Sequence, residues 1–166
     1  MLIGILSDSH GEVERTASAV TMLRDRGAQA LIHLGDVETD DVINELVADL
    51  PAYLVFGNCD PDWQPMSRYA RSLGINVKHP AGLLEADGKT IAFTHGHLES
   101  HMRDALERQV DYLLHGHSHM LRDERVGRTR ILNPGALHRA RRYTAMLLDS
   151  VADQASVIEI PASARR

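Results

Sequence analysis

The chain has 166 residues, a hydrophobic fraction of 43%, a charged fraction of 25% and a net charge of -5. That is enough to bury one core without staples, and the acidic balance excludes a general nucleic-acid grip, which needs a concentrated basic surface. The single cysteine, Cys59, excludes an intramolecular disulfide and any Cys-rich zinc module.

In chain order, Leu2 to Leu6 reads as a buried first strand, followed by Val13, Ala17, Val20 and Leu23 at helical spacing with Gly27 as the stop. Ala30 to Leu34 makes a second strand. Thr39 is placed to cap a helix whose apolar face is Val42, Ile43, Leu46 and Val47, with Asp40 and Asp41 set favourably against its dipole. A third strand covers Ala52 to Phe56. This β-α-β-α-β start favours a parallel sheet with crossover helices.

A loop from Cys59 to Pro65 precedes a short helix over Met66 to Leu73. Leu83 to Ala86 and Lys89 to Phe93 then read as strands around an Asp87-Gly88 turn. Leu98, Met102, Ala105 and Leu106 suggest another helix. Further strands are expected at Tyr112 to Leu114, Met120 to Val126, Thr129 to Leu132, Ala145 to Leu148 and Ser156 to Ile160, with a hairpin turn at Gly127-Arg128. The first half alternates strand and helix and the second is mostly strands, so the expected fold class is α/β: two sheets packed face to face with helices outside. One domain over 1–160 and a frayed tail over 161–166 complete the expectation.

Five polar clusters follow apolar, strand-like runs: Asp8-Ser9-His10, Gly35-Asp36, Gly57-Asn58-Cys59-Asp60, His95-Gly96-His97 and Gly116-His117-Ser118-His119. Strand carboxyl ends of an open α/β sheet share one rim, so the clusters can converge on one point. On a strand, Asp8 and His10 would face one side with Ser9 opposite, and His117 and His119 repeat that spacing. Carboxylate, imidazole and carboxamide donors with no obligatory thiolate suit Mn²⁺, Fe, Co, Ni or Zn²⁺ better than Ca²⁺. Asp36 is the best bridging candidate, because a carboxylate has two oxygens and two cations can clamp an in-line phosphoryl displacement.

These motifs, in this order, resemble the calcineurin-like metallophosphoesterase superfamily, with D-x-H, G-D, G-N-H-[DE], a later His and G-H-x-H. The chain is most similar to the small cap-less branch of YfcE-like phosphodiesterases. The resemblance implies an αββα four-layer sandwich and two divalent transition metal ions, Mn²⁺ foremost. One ion would be held by Asp8, His10, Asp36 and His119, the other by Asp36, Asn58, His95 and His117. It implies a metal-bridging hydroxide as nucleophile in a phosphodiesterase. The alternatives are a phosphomonoesterase or nucleotide pyrophosphatase of the same chemistry, or a non-catalytic protein-binding scaffold on the same fold.

Cys59 stands where many relatives carry the histidine that assists the leaving group, so Asp36, Asn58 and His97 are the catalytic candidates, with Cys59 and His97 beside the substrate. His33 is read as a satisfied core histidine, His79, His101 and His138 as surface or loop residues. Asn133-Pro134-Gly135 resembles the family's turn near the site. Arg139, Arg141 and Arg142 are read as a solvated basic turn, and Trp63 either walls the pocket or packs the loop. The expected partner is a small phosphorylated substrate, with no membrane, no general nucleic-acid binding and a homo-oligomer open. The N-terminus reaches Asp8 too soon for a signal peptide, so the expected location is the cytoplasm.

Overall fold

A computed structural model describes residues 1–162. Among the described residues the apolar runs become eleven strands in two mixed sheets. In the first sheet β1 (Leu2–Leu6), β2 (Ala30–His33), β3 (Ala52–Leu54) and β4 (Asn76–Val77) run parallel. Against β1 lies antiparallel β10 (Tyr143–Asp149), which pairs in turn with edge strand β11 (Gln154–Ile160). The second sheet has the order β5 (Ala81–Ala86), β6 (Lys89–Thr94), β7 (Tyr112–Leu114), β9 (Thr129–Pro134), β8 (Leu121–Val126).

Strand alternation sorts the apolar side chains into three layers of core. Ile3, Ile5, Ile32 and Leu34 meet Ile91, Phe93, Leu114 and Leu132 between the sheets. On the outer face of the first sheet, Leu6, Leu31 and Leu54 pack against α1 (Val13–Asp25), α2 (Asp40–Glu45) and α3 (Trp63–Ser72). On the outer face of the second, Ala92, Leu113 and Ile131 pack with Ala105 of α4 (Glu99–Glu107). The result is the expected αββα order. Among the described residues no helix is long and apolar enough to cross a membrane.

Several boundaries differ from the sequence reading. The third helix begins at Trp63, not Met66, because Pro65 lies in its first turn, where a missing N–H costs nothing. Strand β4 went unread, since two residues carry no periodicity. The second helix ends at Glu45, which leaves Val47, expected on its apolar face, 51% exposed. The Asp87-Gly88 turn has φ of 53° and 71°, the two left-handed residues that a tight hairpin requires. Of the expected tail, Pro161 and Ala162 lie outside any strand and are exposed, and residues 163–166 lie outside the described residues.

Thr39 caps α2 as its position suggested: its hydroxyl accepts the Val42 N–H at 3.3 Å. Thr39→Ala should lower the unfolding free energy by about 1 kcal/mol, read from the urea midpoint at unchanged slope.

Candidate metal centre

All five clusters sit where strands or their extensions end. The local backbone is not the expected alternation. β1 stops at Leu6, and Asp8 and His10 lie beyond it with left-handed φ of 55° and 43°. Asp36, His117 and His119 are also left-handed, at 57°, 66° and 57°. Non-glycine residues visit that region at a cost and only where surrounding structure enforces it, a pattern concentrated at functional sites. Hydrogen bonds provide the enforcement. Asp8 N–H donates to the Gly35 carbonyl at 3.0 Å, and His10 N–H to that of Asp36 at 2.9 Å. The His117 N–H donates to Asp8 Oδ2 at 3.1 Å.

The candidate side chains fall around Asp36. Its Oδ1 accepts the Cys59 N–H at 2.9 Å. Its Oδ2 lies 3.3 Å from His95 Nε2 and 3.6 Å from His10 Nε2. On one side, His10 Nε2 faces His119 Nε2 at 3.3 Å, and His119 Nε2 is 3.2 Å from Asp8 Oδ1. On the other, the Asn58 amide oxygen is 3.1 Å from His95 Nε2, and the His117 ring lies 5.2 Å from that of His95. Ligand atoms of Asp8, His10 and His119 all lie within 4.8 Å of one another, as do those of Asp8, Asp36 and His95. Asp8 thus touches both halves of the set, where the family resemblance placed it in one. Asn58 and His117 are exposed, and Asp8, Asp36 and His95 are buried.

Partners on the far side of each ring fix which nitrogen points inward. The His95 Nδ1–H donates to the Leu34 carbonyl at 2.8 Å, so Nε2 is the nitrogen that faces Asp36 and would offer its lone pair to a cation once it gives up its proton. Glu38 Oε1 lies 2.6 Å from His10 Nδ1 and does the same for that ring. These are the outer contacts that orient metal-binding imidazoles. Asp8 Oδ1 is buried with no hydrogen-bond donor of its own. An orphaned carboxylate oxygen among inward lone pairs is poorly satisfied by protein alone, so these residues fit a cation.

The charge balance points the same way. Burial pushes the Asp8 carboxyl up. Burial also acts to raise Asp36, but hydrogen bonding with His95 and the Cys59 N–H hold it well below the usual carboxylate range. For His95, burial pulls down and the Asp36 carboxylate outweighs it, giving a net rise. The Asp36 contribution to stability is therefore present above the ordinary carboxylate value of 3.8 and lost as pH falls through its depressed pKa. The His95 contribution is present below the ordinary imidazole value of 6.5 and lost as pH rises through its elevated one. Burial holds His33 down to about 3 and His115 down to about 4, so both add to the Asp36 slope: cation-free protein should gain thermostability as pH rises toward 6.5 and lose the His95 part above it, where divalent-cation affinity should climb because ligation needs neutral imidazole. Melting curves with and without chelator across pH 4 to about pH 9 check both slopes.

Supporting residues surround the set. Asp60, quoted only as part of its cluster, is 2% exposed and accepts three backbone N–H groups: Asp36 and Gly57 on Oδ2, and Glu38 on Oδ1, each at 2.8 Å. It ties the second and third clusters together. Asn133 donates to the Gly116 carbonyl at 2.9 Å and to Ser118 Oγ at 3.1 Å, so the Asn-Pro-Gly turn holds the fifth cluster. His33 is the core histidine expected: fully buried, bonded to Ser9 Oγ at 2.8 Å, and pushed down to about 3 by burial.

Two histidines read as surface or loop residues do lie in loops, but they are half-buried and make specific contacts. The His138 ring lies 5.2 Å from that of His10, with Nδ1 3.0 Å from Glu12 Oε1. The His79 ring packs tilted against Trp63 at 4.4 Å and its Nδ1 accepts the Phe56 N–H at 3.3 Å, so Trp63 packs against the loop through His79 and Phe56. Only the nearness of His138 to the Asn-Pro-Gly turn hinted at its place. Glu38, two residues past Asp36, had no signal of its own. Arg139, Arg141 and Arg142 are exposed, as expected of a solvated turn.

The family model for the calcineurin-like phosphoesterase superfamily domain matches residues 1–153. The chain belongs to this superfamily. It is 28% identical over 139 residues to a phosphodiesterase of Methanocaldococcus jannaschii, covering 81% of this chain and 83% of that one. It is 27% identical over 153 residues to the phosphodiesterase YfcE of Escherichia coli, covering 82% and 79%. The solved structure of an archaeal phosphodiesterase superposes with a TM-score of 0.87 at 25% identity, covering 96% of this chain and 99% of that one. The four-layer fold is therefore the superfamily's, and the superfamily implies divalent metal ions.

Proposed function

We propose that this phosphoesterase is a phosphodiesterase that works on small phosphorylated substrates with a pair of divalent transition metal ions, Mn²⁺ foremost and Fe, Zn²⁺, Ni²⁺ or Co²⁺ as substitutes. The observation that carries the reading is Asp36 Oδ2, set between His95 Nε2 at 3.3 Å and His10 Nε2 at 3.6 Å. Asp8, His10, Asp36 and His119 would hold one ion, and Asp36, Asn58, His95 and His117 the other. Two such ions would supply a nucleophile from water and Lewis-acid polarisation of the phosphoryl oxygens for in-line attack. The relatives named phosphodiesterase support the ester class.

What the chain itself supplies for the leaving group is weak. Burial, then the Asp36 charge, pushes the Cys59 thiol up to about 11. Burial, then the charges of His95 and His117, pushes His97 down, so it stands mostly neutral near pH 7. Its Nδ1 is buried without a partner, and its ring lies 5.3 Å from that of His95. An acid far from the working pH in either direction transfers protons poorly. Turnover should therefore depend steeply on leaving-group quality.

A series from nitrophenyl to alkyl diesters tests this. The reading requires at least a ~100-fold fall in kcat across it, since a well-placed general acid is worth about 10²–10⁴. Comparable turnover on both ends overturns it. In the same series, His97→Ala assigns the proton to His97 if only the poor leaving groups suffer, and removes that role if all esters change alike.

A further inference from the structure

One edge of the centre carries a mixed set of donors that the proposed pair of ions does not use in full. Ligand atoms of His10, Glu38 and Cys59 lie within 4.8 Å of one another, an imidazole, a carboxylate and a thiol. The loops that bring them there are fixed. The Glu38 N–H donates to Asp60 Oδ1 at 2.8 Å and the Cys59 N–H to Asp36 Oδ1 at 2.9 Å. Cys59 is half-buried and free, and Asn58 Nδ2 reaches its sulfur only at 3.4 Å.

The donor type decides which cation. Thiolate sulfur favours Zn²⁺ or Cd²⁺ over Mn²⁺, whereas the oxygen and nitrogen donors of Asp8, His119 and Asp36 discriminate less.

We infer that His10, Glu38 and Cys59 form a site for a thiophilic divalent cation that competes, through His10, with Mn²⁺ at the Asp8–His10–His119 position. It rests on the proposed metal centre only through that shared imidazole. As the sulfur–cation bond forms, the thiol proton leaves to water. Glu38 changes from orienting His10 to supplying an oxygen. One imidazole lone pair cannot serve two cations, so the two occupancies exclude each other.

The test is a Cd²⁺ titration of the full-length, metal-stripped protein, followed by thiolate-to-cadmium charge-transfer absorbance in the ultraviolet. A second titration begins from Mn²⁺-loaded protein, with released Mn²⁺ read by electron paramagnetic resonance. The site predicts a band that saturates at one equivalent in wild type and is lost in Cys59→Ser, a variant that still takes up Mn²⁺. Its midpoint should move about tenfold or more in Glu38→Gln, in line with the loss of a metal-site partner. Release of Mn²⁺ should need about tenfold more Cd²⁺ in Cys59→Ser than in wild type. No band in wild type, an unmoved midpoint in Glu38→Gln, or equal release from both proteins overturns the site. If Mn²⁺ does not bind at all, the proposed centre fails, and the cadmium band still decides this site.

Discussion

Asp36→Asn is expected to lower turnover of a nitrophenyl phosphodiester by more than about 100-fold, because loss of even an outer partner of a bound metal costs 10–100-fold in affinity. The substitution is close to isosteric, and the hydrogen bonds say how it would settle. The amide oxygen keeps the Cys59 N–H that Oδ1 now accepts at 2.9 Å. The amide NH₂ then replaces Oδ2 and points at His95 Nε2, 3.3 Å away, and His10 Nε2, 3.6 Å away. Two inward lone pairs that fit a cation would gain N–H donors instead. The cation-free fold should melt lower than wild type at neutral pH, because the carboxylate that pairs with His95 is gone, and bound metal, counted after dialysis, should fall as well. A variant with wild-type metal content and wild-type turnover contradicts the role assigned to Asp36.

Gly57→Ala should damage the same centre from beneath. A methyl group there would lie 2.1 Å from Asp36 Oδ1 and 2.7 Å from His95 Nε2, closer than any carbon tolerates. Neither neighbour can move freely: Asp36 Oδ1 is held by the Cys59 N–H and His95 by the Leu34 carbonyl. The expected cost is about 1–3 kcal/mol of stability for overpacking, together with at least a ~10-fold loss of metal affinity. Gly74→Ala is the control, since a methyl there meets nothing within 4 Å and only its φ of 85° resists the change. It should cost about 1 kcal/mol from the left-handed backbone alone and leave metal affinity untouched. Equal metal loss in both variants would mean that general destabilisation, not the displaced ligands, is responsible.

The sequence carried the fold well where physics is local. Apolar runs of three to five residues ending in polar clusters announced β1, β2, β6 and β7, and the Asp87-Gly88 pair announced its hairpin. It carried less where a short element depends on neighbours. β4 exists because Asn76 and Val77 find Tyr53 and Leu54 beside them, not because of any pattern of its own. The candidate ligands were legible because Asp, His and Asn at strand ends are chemically distinctive. Their backbone was not. A period of two suggested an extended Asp8–His10 segment, whereas the loops between clusters impose left-handed turns through contacts many residues away. The supporting layer was the least visible. Glu38 orients His10 across 28 residues, and His138 meets Glu12 across 126, pairings that only the folded chain defines.

The most direct measurement is metal content against activity. The protein would be stripped with chelator, reloaded with Mn²⁺ in steps, and assayed at each step on a nitrophenyl phosphodiester. The account predicts no turnover above background in stripped protein, and recovery that is complete only as a second equivalent binds. Turnover retained after stripping, or complete at the first equivalent, would contradict a pair of ions centred on Asp36.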